Sequence, residues 1–431
     1  MNTRLPEHYR SLLCGSAVPS SVLLGLLPED SEPPSVTVAL SRLGEVGESV
    51  VAGERDVEHA RWQLEVRPRG ADAQVYTVWL QPGEPLEHRH LEWAKLGAEE
   101  VEAAERSRWT VGVAVRFHTA LRDFHDQLKV LAAVAPQQVL ALDPGAAWPR
   151  SSTWIHDAAR CSVPPAPDSL FAVHAVSEDA TGTAWLHTHG LLRCGCAELE
   201  VIDVPLESVA PMCTLLNAVA GLCIEQGMPG VGRPFAVGAG LELVWLPWEA
   251  RSGRRPLGWE RDEDHARPSA ILFAPRRRLL GLLQGVQSPL ALLPILEADP
   301  ILYVSHRETE RMALVARERL VRFQDLHQRY GATADWLFLV KLGYPVDDPE
   351  QEDDREHLWF EVRSFAGDHV EAVLLNEPVE IAAMREGELG RHSLALLSDW
   401  AVACGHGRFD PDTVGDLERI LGGPPRKDDR L

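Results

Sequence analysis

Thr183–Pro205 reads TAWLHTHGLLRCGCAELEVIDVP, and this stretch holds the densest run of unusual residues in a chain of 431. Side chains alternate faces along an extended strand, so Trp185, His187 and His189 share one side of it. Leu170–Val176 precedes it, separated by the turn-forming SEDATG, and Glu198–Val204 follows it as another strand pattern. The first two strands form a β-hairpin with a longer loop. If Val176 pairs with Thr183, His174 faces Trp185 and lies diagonal to His187, so three imidazoles converge. Diagonal neighbours about 7–8 Å apart leave room for His174, His187 and His189 to share a divalent ion at about 2.1 Å per bond. Zinc is the ion such a set suggests, with Glu178, Asp179 or Glu200 as base or orienting carboxylate. The face is the sensitive point, because a slip of one residue sends His174 to the other side. The competing reading makes His187 and His189 hydrogen-bonded sheet residues beside Trp185.

Outward from this block, the chain reads as a multi-domain α+β protein. Residues 1–117 form an N-terminal α+β domain, in which a loosely held tail runs to Pro34. Val36–Leu43 alternates as a strand and Gly44–Ala60 carries a helix. Trp62–Val66 and Gln74–Leu80 make a hairpin, Leu86–Arg106 a helix and Trp109–Phe117 a strand. That order is ferredoxin-like. Residues 118–305 form a central α/β domain that holds the β-hairpin. Its helices are Thr119–Val134, patterned by Leu121, Phe124, Leu128 and Leu131, then Ser152–Arg160, then one running from a Ser208 cap to Gln226. A connecting helix spans 306–330, a small C-terminal β-rich module 331–403, and a mostly flexible tail 404–431.

Composition is that of folded protein, 45% apolar and 25% charged. A formal charge of −22 repels phosphate backbones and anionic membrane surfaces, so neither nucleic acid nor membrane is an expected partner. The opening residues form no signal peptide, and the apolar run Pro211–Ile224 is too short to span a bilayer. Seven cysteines at irregular spacing read as reduced thiols in the cytoplasm. Cys194-Gly195-Cys196 has neither zinc-ribbon nor Cys-x-x-Cys spacing and reads as a turn. His88 and His90 fall on diverging sides of a helix, and Arg276-Arg277-Arg278 reads as a solvated helix start. The Gly230 and Gly238 pairs lack the third glycine of a dinucleotide loop. Lysine is rare, with Lys95, Lys129, Lys341 and Lys427 standing outside any motif.

Leu375-Asn376-Glu377-Pro378 followed by Ser398-Asp399-Trp400, with Leu358–Val362 and Gly387, resembles an uncharacterised bacterial domain family of the 2314 type over roughly Asp335–Ala403. The central block, Leu186–Leu191 with Arg193, Gly195 and Glu198-Leu199-Glu200, resembles a second uncharacterised family found joined to the first. Neither resemblance implies a reaction or a ligand. Read physically, Asn376-Glu377-Pro378 ends a strand and Ser398-Asp399 caps a turn before a buried Trp400. The His-x-His spacing also resembles that of JAMM-type metalloproteases. Ala197 and Glu200 stand where that pattern has serine and aspartate, and Gly190 where it has proline, so protease activity is not implied.

No complete catalytic set is present. The expectation is a cytoplasmic protein that acts by binding a protein partner, in a toxin-neutralising or regulatory role, with no cofactor required. The alternative is a metal-dependent hydrolase built on His174, His187 and His189.

Overall fold

The computed structural model describes residues 5–52, 57–70, 74–83, 86, 91, 96–178, 182–250, 267–276, 285–298, 302–349 and 354–422. The chain divides into two compact units, one of residues 1–152 and 166–303, the other of 153–165 and 304–431. Mixed helix and strand in separate sheets make it an α+β protein.

In the first unit the elements begin α1 (Glu7–Leu13), β1 (Ser21–Leu26), α2 (Val36–Leu43), β2 (Gly47–Val51), β3 (Trp62–Pro68), β4 (Tyr76–Pro82), α3 (Ala98–Glu105), β5 (Trp109–Val115), α4 (Ala120–Val134), β6 (Leu140–Asp143) and β7 (Trp148–Ser151). Their seven strands form one sheet in the order β2-β3-β4-β5-β1-β6-β7. Every pairing is antiparallel. The ferredoxin-like order is therefore replaced by an antiparallel sheet that extends to Ser151.

The differences have local causes. The stretch expected to be a loose tail supplies β1, which sits between β5 and β6, and α1, whose buried Tyr9 donates its hydroxyl to Ser269 O. Val36–Leu43 is helical, not extended: Ser35 Oγ accepts from the Val38 N–H as a cap, and the buried Ala39 and Leu43 are four residues apart. The segment expected to be helical after Gly44 contains β2, entered at Gly47. A Cβ there would lie 2.1 Å from Arg67 O, a backbone approach only glycine permits. The hairpin β3–β4, the strand β5 and the helix α4 lie as the pattern predicts. Of the expected helix at Leu86–Arg106, α3 accounts for the last part. His88 and His90 are outside the described residues, as are Arg277 and Arg278.

After α5 (Ser152–Arg160) come β8 (Ala172–Glu178), β9 (Thr183–His189), β10 (Glu198–Pro205), α6 (Val209–Gln226), β11 (Phe235–Gly238), β12 (Leu241–Pro247), β13 (Ser269–Arg276), β14 (Gly285–Gln287) and α7 (Leu293–Leu296). The second sheet has the order β11-β12-β13-β10-β9-β8, with β14 on β13. Among its described pairings only that of β10 and β13 is parallel. Met212, Leu215, Leu216, Val219, Ala220 and Cys223 on α6 are buried in one core with Ala184, Leu186, Leu199 and Val201 of the sheet. The helical stretch Leu206–Gln226 is 21 residues long and contains an 18-residue window of mean hydropathy 1.5, long and apolar enough to cross a membrane by length and composition. This corrects the expectation that it is too short; it packs here as a core helix. All seven cysteines are free thiols.

The second unit contains α8 (His306–Glu318), α9 (Leu320–Tyr330), β15 (Leu337–Pro345), β16 (Arg355–Ala366), β17 (His369–Leu374), β18 (Leu389–Ser393), β19 (Leu397–Cys404), β20 (Gly407–Phe409) and α10 (Val414–Ile420), together with most of α5. Its six-stranded antiparallel sheet runs β18-β17-β16-β15-β19-β20. The expected connecting helix is two helices that form part of this module: Phe323 stacks on Trp400 at 4.8 Å, and the Trp400 indole donates to Ala316 O at 3.0 Å. Arg322 bridges Asp157 of α5 and Glu418 of α10 at 2.7 and 2.8 Å. Residues 404–422, expected to be flexible, complete β19 and add β20 and α10, because Phe409, Val414 and Leu417 are buried in the same core. The remainder of that tail lies outside the described residues.

Candidate metal centre

β8, β9 and β10 are adjacent strands, and the centre is built across them. His174 lies directly opposite His187, and Ala172 opposite His189. The register differs from the expected one by two residues, since Glu178 and not Val176 pairs with Thr183. A shift of two preserves the face, so the three imidazoles still meet. One ring nitrogen from each of His174, His187 and His189 lies within 4.8 Å of the others. His187 Nε2 and His189 Nε2 are 3.1 Å apart. Ring centroids are 4.7 Å apart for His174 and His189, 4.9 Å for His187 and His189, and 5.7 Å for His174 and His187. Tetrahedral zinc with bonds of about 2.0–2.1 Å sets its ligand nitrogens roughly 3.4 Å apart. The closest pair, at 3.1 Å, is near that spacing, and the third nitrogen lies within 4.8 Å of both. No other described group of three His, Cys, Asp or Glu residues has this proximity.

The strand neighbours fix the central ring. Trp185 stacks on His187 with centroids 4.0 Å apart and planes 27° from parallel. Its indole donates to Glu200 Oε2 at 3.2 Å, and Glu200 lies opposite His187 on β10. Both Glu200 and His187 are buried, at 2% and 3% exposure, whereas His174 and His189 are half-buried. Glu200 is thus the one expected carboxylate that the structure brings to the site. The Glu178 side chain and Asp179 lie outside the described residues.

The strand's end is held from below. Glu198 accepts from the Thr188 hydroxyl at 2.7 Å and from the N–H groups of Gly190 and Leu192 at 2.9 and 3.2 Å. Burial outweighs these hydrogen bonds and pushes its carboxyl up from the ordinary value. Gly190 takes a φ of +120°, and a Cβ there would lie 2.3 Å from Leu170 O, so the chain turns here on glycine. Arg193 follows, fully buried, in a bidentate pair with Asp143 at 2.7 and 2.8 Å. Burial works against its charge, but Asp143 prevails and holds the guanidinium above its ordinary value. The Cys194-Gly195-Cys196 turn holds Gly195 at φ +75°. Burial pushes both thiols up, which suits packing rather than thiolate chemistry.

A second cluster, in the C-terminal module, escapes sequence reading. Ser398 and Asp399 form no capped turn; they sit in β19 at a register shift opposite Lys341 and Leu342 of β15. Ser398 Oγ lies 2.9 Å from His357 Nδ1 on β16, two strands away. The signal available was Lys341, a rare lysine alternating with Val340 and Leu342, but register across three strands is not written in local sequence. Asn376 does end its strand as expected, accepting from the Trp359 N–H at 2.9 Å.

Family models place these sites. Residues 21–165 match the N-terminal domain, and 173–273 the C-terminal domain, of a protein of unknown function, DUF4026. Residues 319–418 match DUF2314, an uncharacterized protein conserved in bacteria. No curated protein and no solved structure matches. The three histidines fall in the second DUF4026 domain and the Ser398 cluster in DUF2314, and with the two DUF4026 domains spanning more than half its length, the chain belongs to the DUF4026 family and carries a DUF2314 domain at its C-terminal end.

Proposed function

We propose that this protein binds one zinc ion through His174, His187 and His189, and that the site serves hydrolysis. The observation that carries the reading is the meeting of three ligand nitrogens within 4.8 Å on adjacent strands. Three neutral imidazoles leave the ion's charge uncompensated and a coordination position open, which is the arrangement of catalytic rather than structural zinc. Zinc held in this way supplies a Lewis acid and a water acidified towards neutrality. The chain's own residues set the geometry: Trp185 packs the His187 ring, and Glu200 fixes the indole. As a buried carboxylate beside the cationic site, Glu200 also offsets charge in a low-dielectric setting.

Metal analysis of full-length protein, purified without a histidine tag, tests this. About one zinc per chain is expected, lost in the His187→Ala, His189→Ala double variant while far-ultraviolet circular dichroism is unchanged. Absence of zinc in protein refolded or dialysed against excess zinc would remove the reading.

A further inference from the structure

We propose that the DUF2314 module carries a separate binding site for a phosphate dianion, formed by Lys341 and Arg408 beside Trp359 on the sheet face opposite its helices. The face follows from register. Phe338, Val340 and Leu342 of β15, Leu358 and Phe360 of β16, and Phe409 of β20 are buried in the core with Phe323 of α9. Their alternate neighbours Lys341, Arg355, His357, Trp359 and Arg408 therefore project from the other face.

Several contacts shape that face. The Lys341 ammonium and the Arg408 guanidinium lie 5.5 and 5.3 Å from the Trp359 ring centroid, so both cations gather on one indole. Arg355 donates to Gly343 O at 3.2 Å. Gly343 has no side chain to separate the strands: a Cβ there would lie 3.0 Å from His357 Cε1 and 3.5 Å from Arg355 Cδ. The imidazole thus lies across β15 and reaches Ser398 Oγ at 2.9 Å, while Ser398 donates to Lys341 O at 3.1 Å. That assigns the shared proton to His357 Nδ1–H and pins the bulge beside Lys341.

Burial lowers the Lys341 pKa, Asp399 opposes this and Arg408 adds to it, and His357 is lowered by burial, Lys341 and Arg355. The nearest carboxyl, Asp399, accepts from the Trp400 N–H at 2.8 Å, and burial pushes it up to about 7, so it is a weak counter-ion near neutrality. Asp410 is engaged by the Thr413 N–H and hydroxyl at 2.9 and 2.7 Å. Within a chain of net charge −22, Lys341 and Arg408 gather on one indole, and the carboxyl opposite Lys341 is the weak counter-ion Asp399. A dianion supplies what a single carboxylate does not.

The test titrates full-length protein with inorganic phosphate at constant ionic strength, following binding by calorimetry in the His187→Ala, His189→Ala background so that phosphate on zinc is eliminated. Saturable binding of about one phosphate per chain is expected, weakened about tenfold or more by Lys341→Gln and by Arg408→Gln. Arg408 is exposed, so its variant folds even if Lys341→Gln does not. Acetate at equal concentration should compete poorly. No saturable binding, binding indifferent to Arg408→Gln, or acetate competing as well as phosphate would overturn the proposal. None of these outcomes depends on the zinc reading.

Discussion

Replacing Asp143 by alanine tests how the strand bearing the metal site is anchored. Arg193, four residues beyond His189, is 2% exposed and its partner Asp143 fully buried. The pair is bidentate, and Arg193 also donates to Ser21 Oγ at 3.0 Å and Leu170 O at 2.8 Å. The guanidinium further lies 5.3 Å from the Phe124 ring. In Asp143→Ala the hydroxyl and carbonyl contacts remain, but a buried cation loses its ion-pair partner, at a cost of about 3–5 kcal/mol. Against a total stability of roughly 5–15 kcal/mol this is a large fraction, and it moves a urea midpoint by roughly 1–2 M. The double variant Asp143→Leu, Arg193→Met removes charge and counter-charge together and should recover most of the loss. Urea unfolding followed by circular dichroism measures both. A single-variant cost below about 1 kcal/mol, or a double variant as unstable as the single, would refute the reasoning.

Further outcomes follow from other parts of the chain. Gly190→Ala places a Cβ against Leu170 O and Phe171 Cα in a positive-φ position, and should cost about 3 kcal/mol in the same unfolding assay. Asp399 holds its proton to about pH 7 when folded, against 3.8 ordinarily. Between those values the unfolded chain has released a proton that the folded one keeps, so the contribution of this group to stability is greatest below about pH 4 and falls by roughly 4 kcal/mol towards neutrality. Asp399→Asn should flatten that slope and be the more stable protein at pH 8; an unchanged slope in denaturation midpoints would contradict it. Cys14 is the single exposed thiol of seven, and Ser16 lowers its pKa. A thiol-reactive dye should therefore titrate one fast group in native protein and all seven in urea.

Much of the site was legible because its signals are local. His-x-His in an alternating strand fixes a shared face, and even a register error of two residues keeps His174 on it. Trp185 and Glu200 follow from the same parity. Helices with a clear stripe, such as α4 and α6, were equally readable. The N-terminal sheet was not. Val36–Leu43 alternates like a strand, yet the Ser35 cap and the burial of Ala39 and Leu43 make it a helix. The short run Ser21–Leu26 looks like a tail until β5 and β6 flank it. In the C-terminal module, Phe409 and Leu417 are too sparse to reveal a folded end, and His357 reaches Ser398 only because Gly343 lies between them. Such pairings depend on which strands become neighbours, and a single sequence carries that information weakly.

X-ray absorption at the zinc edge of the purified protein addresses the central claim most directly. Three imidazole nitrogens at about 2.0–2.1 Å with no sulfur in the shell are predicted. A shell containing sulfur at about 2.3 Å would move the ion to cysteines and contradict the three-histidine centre.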